Sequence, residues 1–231
     1  MIVYCILRLV LFSCGAAHKL YANKLHFPKR GLIVLVCLAT PNPLTGQITK
    51  LNYTIIRENK EVGYMHITKT EFNTSNTVES YTEVLISKLL DIRMKETKSV
   101  TEQNGIVSST TASRSVSGYL KVTTATNYQH GIYNKSKNGN VIGAVIDPIH
   151  STVLQMHFKE PVNCTSVYSE YFQLSVPVNK TGKGIYQLSY PDGTYSIYRY
   201  SGGRCTSVKA ITRYGVVTLV LVPEIQLTSN E

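Results

Sequence analysis

The 231-residue chain contains no tryptophan, only five cysteines, and only 14 acidic residues against 24 basic ones. Its apolar runs fall short of the roughly 20 residues that a helix needs to cross a bilayer. It has no Gly-x-Ser-x-Gly nucleophile elbow, and no glycine-rich loop that opens a helix as phosphate-binding loops do. These absences argue against a spanning helix and against the hydrolase and nucleotide-binding classes that are easiest to recognise.

The first 47 residues are built like an export signal. Lys29 and Arg30 precede an apolar run at 31–40, and a polar, helix-breaking segment continues to Gln47. A charged, an apolar and a polar segment in this order are typical of a secretory signal peptide. We therefore predict a leader at 1–47, a single exported domain at 48–231, and a location in the periplasm or outside the cell.

The distance of this signal from Met1 leaves two explanations open. Translation could begin near Lys29, so that the earlier residues are a mis-called start. Alternatively, the apolar run at 1–17 is itself the signal, and Leu11-Phe12-Ser13-Cys14 resembles a lipobox. Cys14 would then carry a lipid anchor. Both explanations make the protein an exported one.

Two cysteines, Cys164 and Cys205, lie in the predicted domain. An even pair in an exported domain is typical of a disulfide, because thiols oxidise outside the cytosol. Such a bond would close a loop of about 40 residues and stabilise the fold by roughly 3 to 4 kcal/mol. We predict this disulfide, and two separate buried thiols are the alternative.

The charge of the domain does not indicate a nucleic-acid surface. Five of the basic residues belong to the leader, and no block of five like charges occurs in the remaining chain. A nucleic-acid footprint would be a cluster of basic residues. We expect a solvated basic surface without a nucleic-acid partner, and only a peripheral contact with an anionic envelope surface.

From Leu51 onward, apolar and β-branched residues alternate in short runs between turn signals such as Asn104-Gly105. A period of two with such turns is typical of antiparallel hairpins. Without helices to cover it, a flat sheet would leave one face and two edges open. We predict an all-β, strongly curved antiparallel meander, closed or nearly closed as a β-barrel; a two-sheet sandwich is the alternative.

Three segments carry more local expectations. The apolar run at 141–146 is expected to be buried on both faces or to lie in a tight corner. Residues 85–94 fit a strand better than a short helix. Residues 168–178 are expected to form one strand.

Candidate catalytic and metal-binding residues are few. Glu160 and Glu170 could form a glycosidase pair only if the fold opposed them. No two histidines have the spacing that places metal ligands on one face of a helix or strand. We expect no catalytic centre, no metal and no cofactor. The histidines concerned are His66, His130, His150 and His157.

Tyrosine is the unusual residue of the domain, since eight of the 16 in the chain lie between Tyr168 and Tyr214. A ring with an apolar body and a polar tip suits the wall of a ligand cavity. It also suits a half-buried strand. The candidate ligand-facing residues are Tyr186, Tyr190, Tyr195, Tyr198 and Tyr200.

Short stretches in three places make the chain similar to a known family. From Leu51 to about Val222 it resembles a bacterial family of exported β proteins known only as a domain of unknown function. The stretches are Asn59-Lys60-Glu61-Val62-Gly63, then Phe158-Lys159-Glu160-Pro161 with Val167-Tyr168-Ser169-Glu170, and Tyr190-Pro191-Asp192-Gly193 with Tyr198-Arg199-Tyr200 and Gly203.

This resemblance implies a curved sheet like that of envelope lipoprotein carriers, no established enzyme activity and, by analogy, a lipid or other apolar ligand. We expect a non-enzymatic envelope or periplasmic domain that binds an apolar or amphipathic ligand. The alternative is a structural or interaction domain with a filled core and no small-molecule ligand. A hydrolase with an unrecognised site is a third possibility.

Overall fold

The computed structural model describes residues 46–87, 91–212 and 215–223. Within these ranges the chain forms fourteen strands and a single turn of 3-10 helix at Gln155–His157. The strands are β1 (Gln47–Arg57), β2 (Lys60–Glu71), β3 (Ser75–Ser87), β4 (Asp91–Gln103), β5 (Ile106–Val116), β6 (Tyr119–Gln129), β7 (Ile132–Lys137), β8 (Asn140–Val145), β9 (Ser166–Ser169), β10 (Leu174–Gly182), β11 (Ile185–Ser189), β12 (Tyr195–Ser201), β13 (Arg204–Thr212) and β14 (Gly215–Leu221).

All fourteen strands belong to one antiparallel sheet, in the order β8-β7-β6-β5-β4-β3-β2-β1-β14-β13-β12-β11-β10-β9. The two halves of the chain each form an up-and-down meander, and β1 joins them by pairing with β14, with Tyr53 opposite Leu221. β8 and β9 are the edges of the sheet, so the sheet is nearly closed but not closed. The predicted curved antiparallel meander is confirmed, as one sheet rather than a two-sheet sandwich.

Tight turns set the register of this meander. Asn104 and Gly105 have φ angles of 52° and 78°. A two-residue type I′ hairpin turn requires positive φ at both positions, which asparagine and glycine tolerate best. The hairpin that we predicted there is confirmed, since β4 ends at Gln103 and β5 begins at Ile106.

The inward-facing side chains form two hydrophobic clusters. The first lies mainly under β1 to β5, and the second lies mainly under β10 to β13. The largest fully buried side chains of the two clusters are Tyr53, Ile55, Ile67, Val78, Val100, Tyr133, Leu154, Tyr168, Met156, Tyr186 and Leu188.

Residues 146–165, which connect β8 to β9 and which we call the strap, fill the interior of the curved sheet. Ile149, Leu154 and Met156 of the strap are buried in the two clusters. At one end the Val107 N–H donates to the Ile149 carbonyl oxygen at 2.9 Å, and at the other the Glu160 N–H donates to the Gly203 carbonyl oxygen at 3.1 Å. The strap therefore runs from the β4–β5 hairpin to the β12–β13 turn.

Side-chain hydrogen bonds join the β9–β10 turn at one edge of the sheet to β6, the third strand from the other edge. The Thr124 hydroxyl on β6 donates to the Glu170 carbonyl oxygen at 2.8 Å. The Gln173 amide donates to the Ala125 carbonyl oxygen at 2.8 Å. These bonds anchor the β9–β10 turn on β6, although no ladder joins β8 to β9 in the described part of the chain.

The expected burial of 141–146 is wrong. This run forms β8, where Val141 is 77% exposed and Ile142 is 53% exposed, and Ile146 just beyond β8 is 77% exposed. The reason is position, because β8 is an edge strand and pairs only with β7. An apolar run shows which residues could be covered, and it does not show whether another element covers them.

The single strand expected at 168–178 is also wrong. The chain reverses between β9 and β10, where Gln173 has a φ of 55° and its N–H donates to the Ser169 carbonyl oxygen at 2.8 Å. The described residues of 85–94 are strand rather than helix, as expected, but they belong to two antiparallel strands, since β3 ends at Ser87 opposite Asp91, where β4 begins. Residues 88–90 lie outside the described ranges.

The predicted leader and the lipobox with Cys14 lie outside the described residues, apart from Gly46 and Gln47. No helix in the described ranges has the length and apolar character needed to span a membrane.

Candidate functional site

The five candidate tyrosines do not form one surface. Tyr186 and Tyr198 are 2% and 3% exposed and belong to the second cluster. The Tyr186 hydroxyl donates to Glu160 at 2.7 Å, and burial, together with this bond, raises the pKa of Tyr186 to about 12. The Tyr200 hydroxyl donates to the Met156 carbonyl oxygen at 2.8 Å. Tyr186 and Tyr200 therefore bind the strap.

The other two candidates lie elsewhere. Tyr195 is half-buried and alternates with the buried Ser196, which places it on the opposite face of β12. Tyr190 is half-buried as well, and its ring stacks on Phe172 with a centroid distance of 5.4 Å. Of the five, Tyr190 thus approaches the open cleft described below.

His157 is a buried histidine of the strap. It is 4% exposed and packs edge-on against Tyr53 and Tyr198, with centroid distances of 5.1 and 5.8 Å. Burial, reinforced by the positive charge of Lys98, lowers the pKa of His157 to about 3. The imidazole is therefore neutral near pH 7, and it packs between two tyrosine rings in the core.

Glu160 and Glu170, considered above as a glycosidase pair, each accept a hydrogen bond from another part of the fold. Glu160 accepts the Tyr186 hydroxyl, and Glu170 accepts the Leu154 N–H at 2.8 Å inside the core. The described residues also contain no group of three histidine, cysteine or acidic side chains that could hold a metal ion.

Cys164 and Cys205 are free thiols in the structure, so the predicted disulfide is not formed there. Each Sγ donates to the carbonyl oxygen two residues further on, Cys164 to Ser166 at 2.9 Å and Cys205 to Ser207 at 3.5 Å. Burial raises the pKa of Cys205 to about 12, so this thiol stays protonated. The arrangement corresponds to the alternative of two separate thiols.

A charged cluster lies on the inner face of β4 and β5. Glu96 is directly opposite Arg114 in the β4–β5 ladder, and Arg114 Nε donates to Glu96 at 2.9 Å. Lys98 Nζ lies 2.8 Å from the other carboxylate oxygen of Glu96. Burial alone would raise the pKa of Glu96, but the charges of Lys98 and Arg114 outweigh it and lower that pKa to about 2.. The cluster therefore carries one negative and two positive charges.

An open cleft of about 420 Å³ borders this cluster, and we call it the seam cleft because β8 and the β9–β10 turn both contribute to it. The Arg114 guanidinium lies 4.2 Å above the Tyr171 ring, which fixes its plane at the cleft wall. The side chains that line the cleft are Arg114, Val122, Lys137, Ile142, Tyr171, Phe172, Gln173 and Asp192.

Sequence reasoning did not identify Arg114, Lys137, Ile142 or Phe172 as candidates. They come from β5, β7, β8 and the β9–β10 turn, and only the fold brings them together. One sequence feature could have indicated the charged cluster. Glu96 and Lys98 occupy inward positions of β4, where charged residues are rare unless they are paired.

A family model for a domain of unknown function, DUF6134, matches residues 53–222. The chain belongs to this family. The match runs from β1 through β14 and so covers the sheet, the strap and the seam cleft. The expected membership of a β-rich family of unknown function is confirmed.

Among solved structures, the DUF6134 chain is similar to a β-barrel-like protein of the domain of unknown function DUF1849 from Brucella abortus. The sequences are 12% identical and the TM-score is 0.48, and the alignment covers 78% of this chain and 96% of that chain. No curated protein matches the chain significantly. A function must therefore be argued from the chain's own geometry.

Proposed function

We propose that this DUF6134 domain is an exported, non-enzymatic binding domain whose seam cleft takes an amphipathic ligand with an anionic head. The observation that carries the proposal is the Arg114 side chain, which is one-third exposed at a mainly polar cleft that Ile142 and Phe172 also line. Small-molecule sites generally combine apolar walls with a few fixed polar groups.

Because the interior of the sheet is filled, a ligand would bind in the seam cleft and not under the sheet. The strap occupies the space under the sheet with buried side chains such as Leu154 and Met156. The seam cleft, at about 420 Å³, falls within the range of about 300 to 1,000 Å³ that ligand sites occupy.

The head group is anionic because two cations face the cleft. Arg114 Nε and Nη2 bind Glu96, and the guanidinium has further N–H donors on Nη1. Lys137 adds a second positive charge, while Asp192 is the acidic residue of the lining. Arginine suits carboxylate and phosphate heads alike, because its planar fork matches their oxygen atoms.

The apolar part of the ligand has a separate surface. Ile142, Phe172 and Val122 line the same cleft. Ile142 is 53% exposed on the edge strand, so covering it with an acyl chain removes apolar area from water. Head and tail of one amphipathic molecule thus meet complementary groups.

Displacement of the fluorescent fatty acid cis-parinaric acid tests this proposal. We expect oleate to displace it, and oleyl alcohol, which has the same chain and no charge, to displace it more weakly. Lys137→Glu and Ile142→Asp should each weaken oleate binding by roughly tenfold. Lys209→Glu is the matched control, because Lys209 is exposed on β13 and is not part of the cleft lining.

Equal displacement by oleate and oleyl alcohol would contradict an anionic head site. Equal loss in Lys137→Glu and Lys209→Glu would contradict the location of the site. Absence of parinaric acid binding would favour the second candidate function, a structural domain with a filled core, which the buried strap supports by itself.

Export is the other part of the proposal, and the signal-like order of residues 29–47 supports it. The ligand site would then face the periplasm or the exterior, where envelope lipids supply amphipathic anions. N-terminal sequencing of the protein from its own host tests this part. A mature terminus near Ile48 is expected, a lipidated Cys14 would indicate the anchored form, and an intact Met1 would contradict export.

A further inference from the structure

A second surface lies on the outer face of β2 and β3, away from the seam cleft. Tyr64 and His66 alternate on β2 with the buried residues Met65 and Ile67, so they point away from the core. In the β2–β3 ladder Tyr64 is opposite Glu83, and His66 is opposite Tyr81. We call the group of Tyr64, His66, Tyr81 and Glu83 the tyrosine platform.

Three rings of the platform are in contact. The Tyr64 ring lies 4.8 Å from the His66 ring and 6.0 Å from the Tyr81 ring, between centroids. The planes are tilted by 43° and 37°, so the rings lean against one another. Tyr64 is 38% exposed, which leaves ring surface open to a ligand.

Glu83 fixes both tyrosine hydroxyls. Tyr81 donates to Glu83 Oε2 at 2.6 Å, and Tyr64 donates to the same oxygen at 3.3 Å. The hydrogen bond from Tyr81, together with the charges of Lys95 and Arg93, lowers the pKa of Glu83 against the opposing effect of desolvation. The carboxylate is therefore ionised near pH 7 and holds the rings in place before any ligand arrives.

Hydrogen-bonding groups surround the rings. Arg93 and Lys95 lie 3.2 and 3.7 Å from Glu83 and keep 58% and 46% of their side chains exposed. On the other side, Asn52 Oδ1 lies 2.6 Å from His66 Nδ1, and the Asn52 amide nitrogen carries two further donors. Aromatic surface thus lies between charged and amide side chains.

We infer that the tyrosine platform binds a neutral oligosaccharide. A pyranose ring has an apolar face of C–H groups, which packs on an aromatic ring, and a rim of hydroxyls, which exchange hydrogen bonds with carboxylate, amide and guanidinium groups. A rigid platform loses little conformational entropy when a ligand binds. The inference is independent of the proposed seam-cleft ligand.

The charges favour a neutral sugar chain over the other polymers that stack on aromatic rings. Single-stranded nucleic acids bring phosphates close to the rings on which their bases stack. Here the Glu83 carboxylate accepts hydrogen bonds from both tyrosine hydroxyls, so a negative charge lies next to the rings and would repel a phosphate. An acyl chain would gain nothing from the charged and amide groups around the rings.

Affinity electrophoresis of the whole protein in native gels tests the inference, with laminarin, mannan and arabinogalactan as neutral polysaccharides and heparin as a polyanion. We expect at least one neutral polysaccharide to retard the protein. Tyr64→Ala should weaken that retardation by about tenfold, and Tyr64→Phe, which keeps the ring, should retain most of it. Tyr119→Ala is the matched control, since Tyr119 is 73% exposed on β6 and is not part of the platform.

Three outcomes would contradict the inference. Lack of retardation in every neutral polysaccharide would overturn the inference, and so would equal losses in Tyr64→Ala and Tyr119→Ala. Retardation by heparin that depends on Lys95 and not on Tyr64 would assign the surface to a polyanion instead. If circular dichroism shows that Tyr64→Ala does not fold, His66→Ala takes its place, because His66 is exposed and contributes a ring to the platform.

Discussion

The Glu170 side chain accepts a 2.8 Å hydrogen bond from the backbone N–H of Leu154, and both residues are 1% exposed. This bond joins the strap to the β9–β10 turn inside the core. The strap is not part of a ladder at Leu154, so the N–H depends on a side chain for its partner. A buried N–H without a partner costs free energy, which makes Glu170 a structural residue.

Replacing Glu170 tests this role. Glu170→Ala should lower the free energy of unfolding by about 1 to 3 kcal/mol, because the Leu154 N–H loses its acceptor. Glu170→Gln retains an oxygen at the same position and should cost less. Urea denaturation of both variants measures the difference. Equal losses in the two variants would show that the bond to Leu154 contributes little.

His157 should make the protein less stable in mild acid. Its pKa is about 3 in the folded state and about 6.5 in the unfolded chain, so only the unfolded chain takes up a proton between these values. The stability is fully present above about pH 6.5 and falls by about 1.4 kcal/mol per pH unit toward pH 3. Glu96, with a folded pKa of about 2, contributes to acid unfolding only near and below about pH 4.3.

The variant His157→Phe isolates this effect, because a phenyl ring can pack between Tyr53 and Tyr198 without titrating. Its free energy of unfolding, from urea denaturation at pH 7, 6 and 5, should depend less steeply on pH than that of the wild type. His130→Asn, in an exposed turn with positive φ, is the control and should keep the wild-type slope. A wild-type slope in His157→Phe would show that another group unfolds the protein in acid.

The two thiols should differ in reactivity. Cys205 is 0% exposed and its pKa is raised to about 12 by burial, whereas Cys164 is half-buried near the surface. Because the thiolate is the reactive form, Ellman's reagent should modify Cys164 in the folded protein and Cys205 only on unfolding. Cys164→Ser should remove a fast-reacting thiol, and Cys205→Ser should remove a slow one. If each substitution instead raises the thiol count of the unreduced, unfolded protein by one, because it releases the partner cysteine, the protein contains the disulfide that the sequence predicts.

Most strands could be predicted from local sequence. The alternation from Leu51 to Arg57 and the turn at Asn104-Gly105 depend on neighbouring residues alone, so their period and turn chemistry identify them. Positions that depend on distant partners could not be predicted in this way. The run at 141–146 has the composition of a buried strand, yet its burial depends on whether another strand follows it in the sheet.

The candidate sites show the same limit. The seam cleft needs Arg114 and Phe172, which are far apart in the chain and meet only because the β9–β10 turn packs on β6. The tyrosine platform is more local, since Tyr64 and Tyr81 lie on adjacent strands. Its register depends on the β2–β3 pairing, which the strand pattern indicates only to within a few residues.

Gly63 should be essential for that pairing. It lies opposite Val84 on β3, and a Cβ atom at position 63 would overlap the Glu83 carbonyl oxygen. Because this oxygen belongs to the backbone, it cannot move aside as a flexible side chain can. Gly63→Ala should therefore lower the free energy of unfolding by about 1 to 3 kcal/mol, as overpacking does.

Gly182→Ala is the matched control for this substitution. A Cβ there would meet the Ile185 Cδ1 atom at 3.4 Å, an ordinary contact with the end of a flexible side chain. The smaller entropy of the unfolded chain should then make Gly182→Ala neutral or slightly stabilising. Thermal unfolding of both variants measures the contrast. If Gly63→Ala were as stable as Gly182→Ala, β2 and β3 could move apart at Glu83 without loss of stability. The close approach of the two backbones would then not be what positions Tyr64 beside the Glu83 carboxylate.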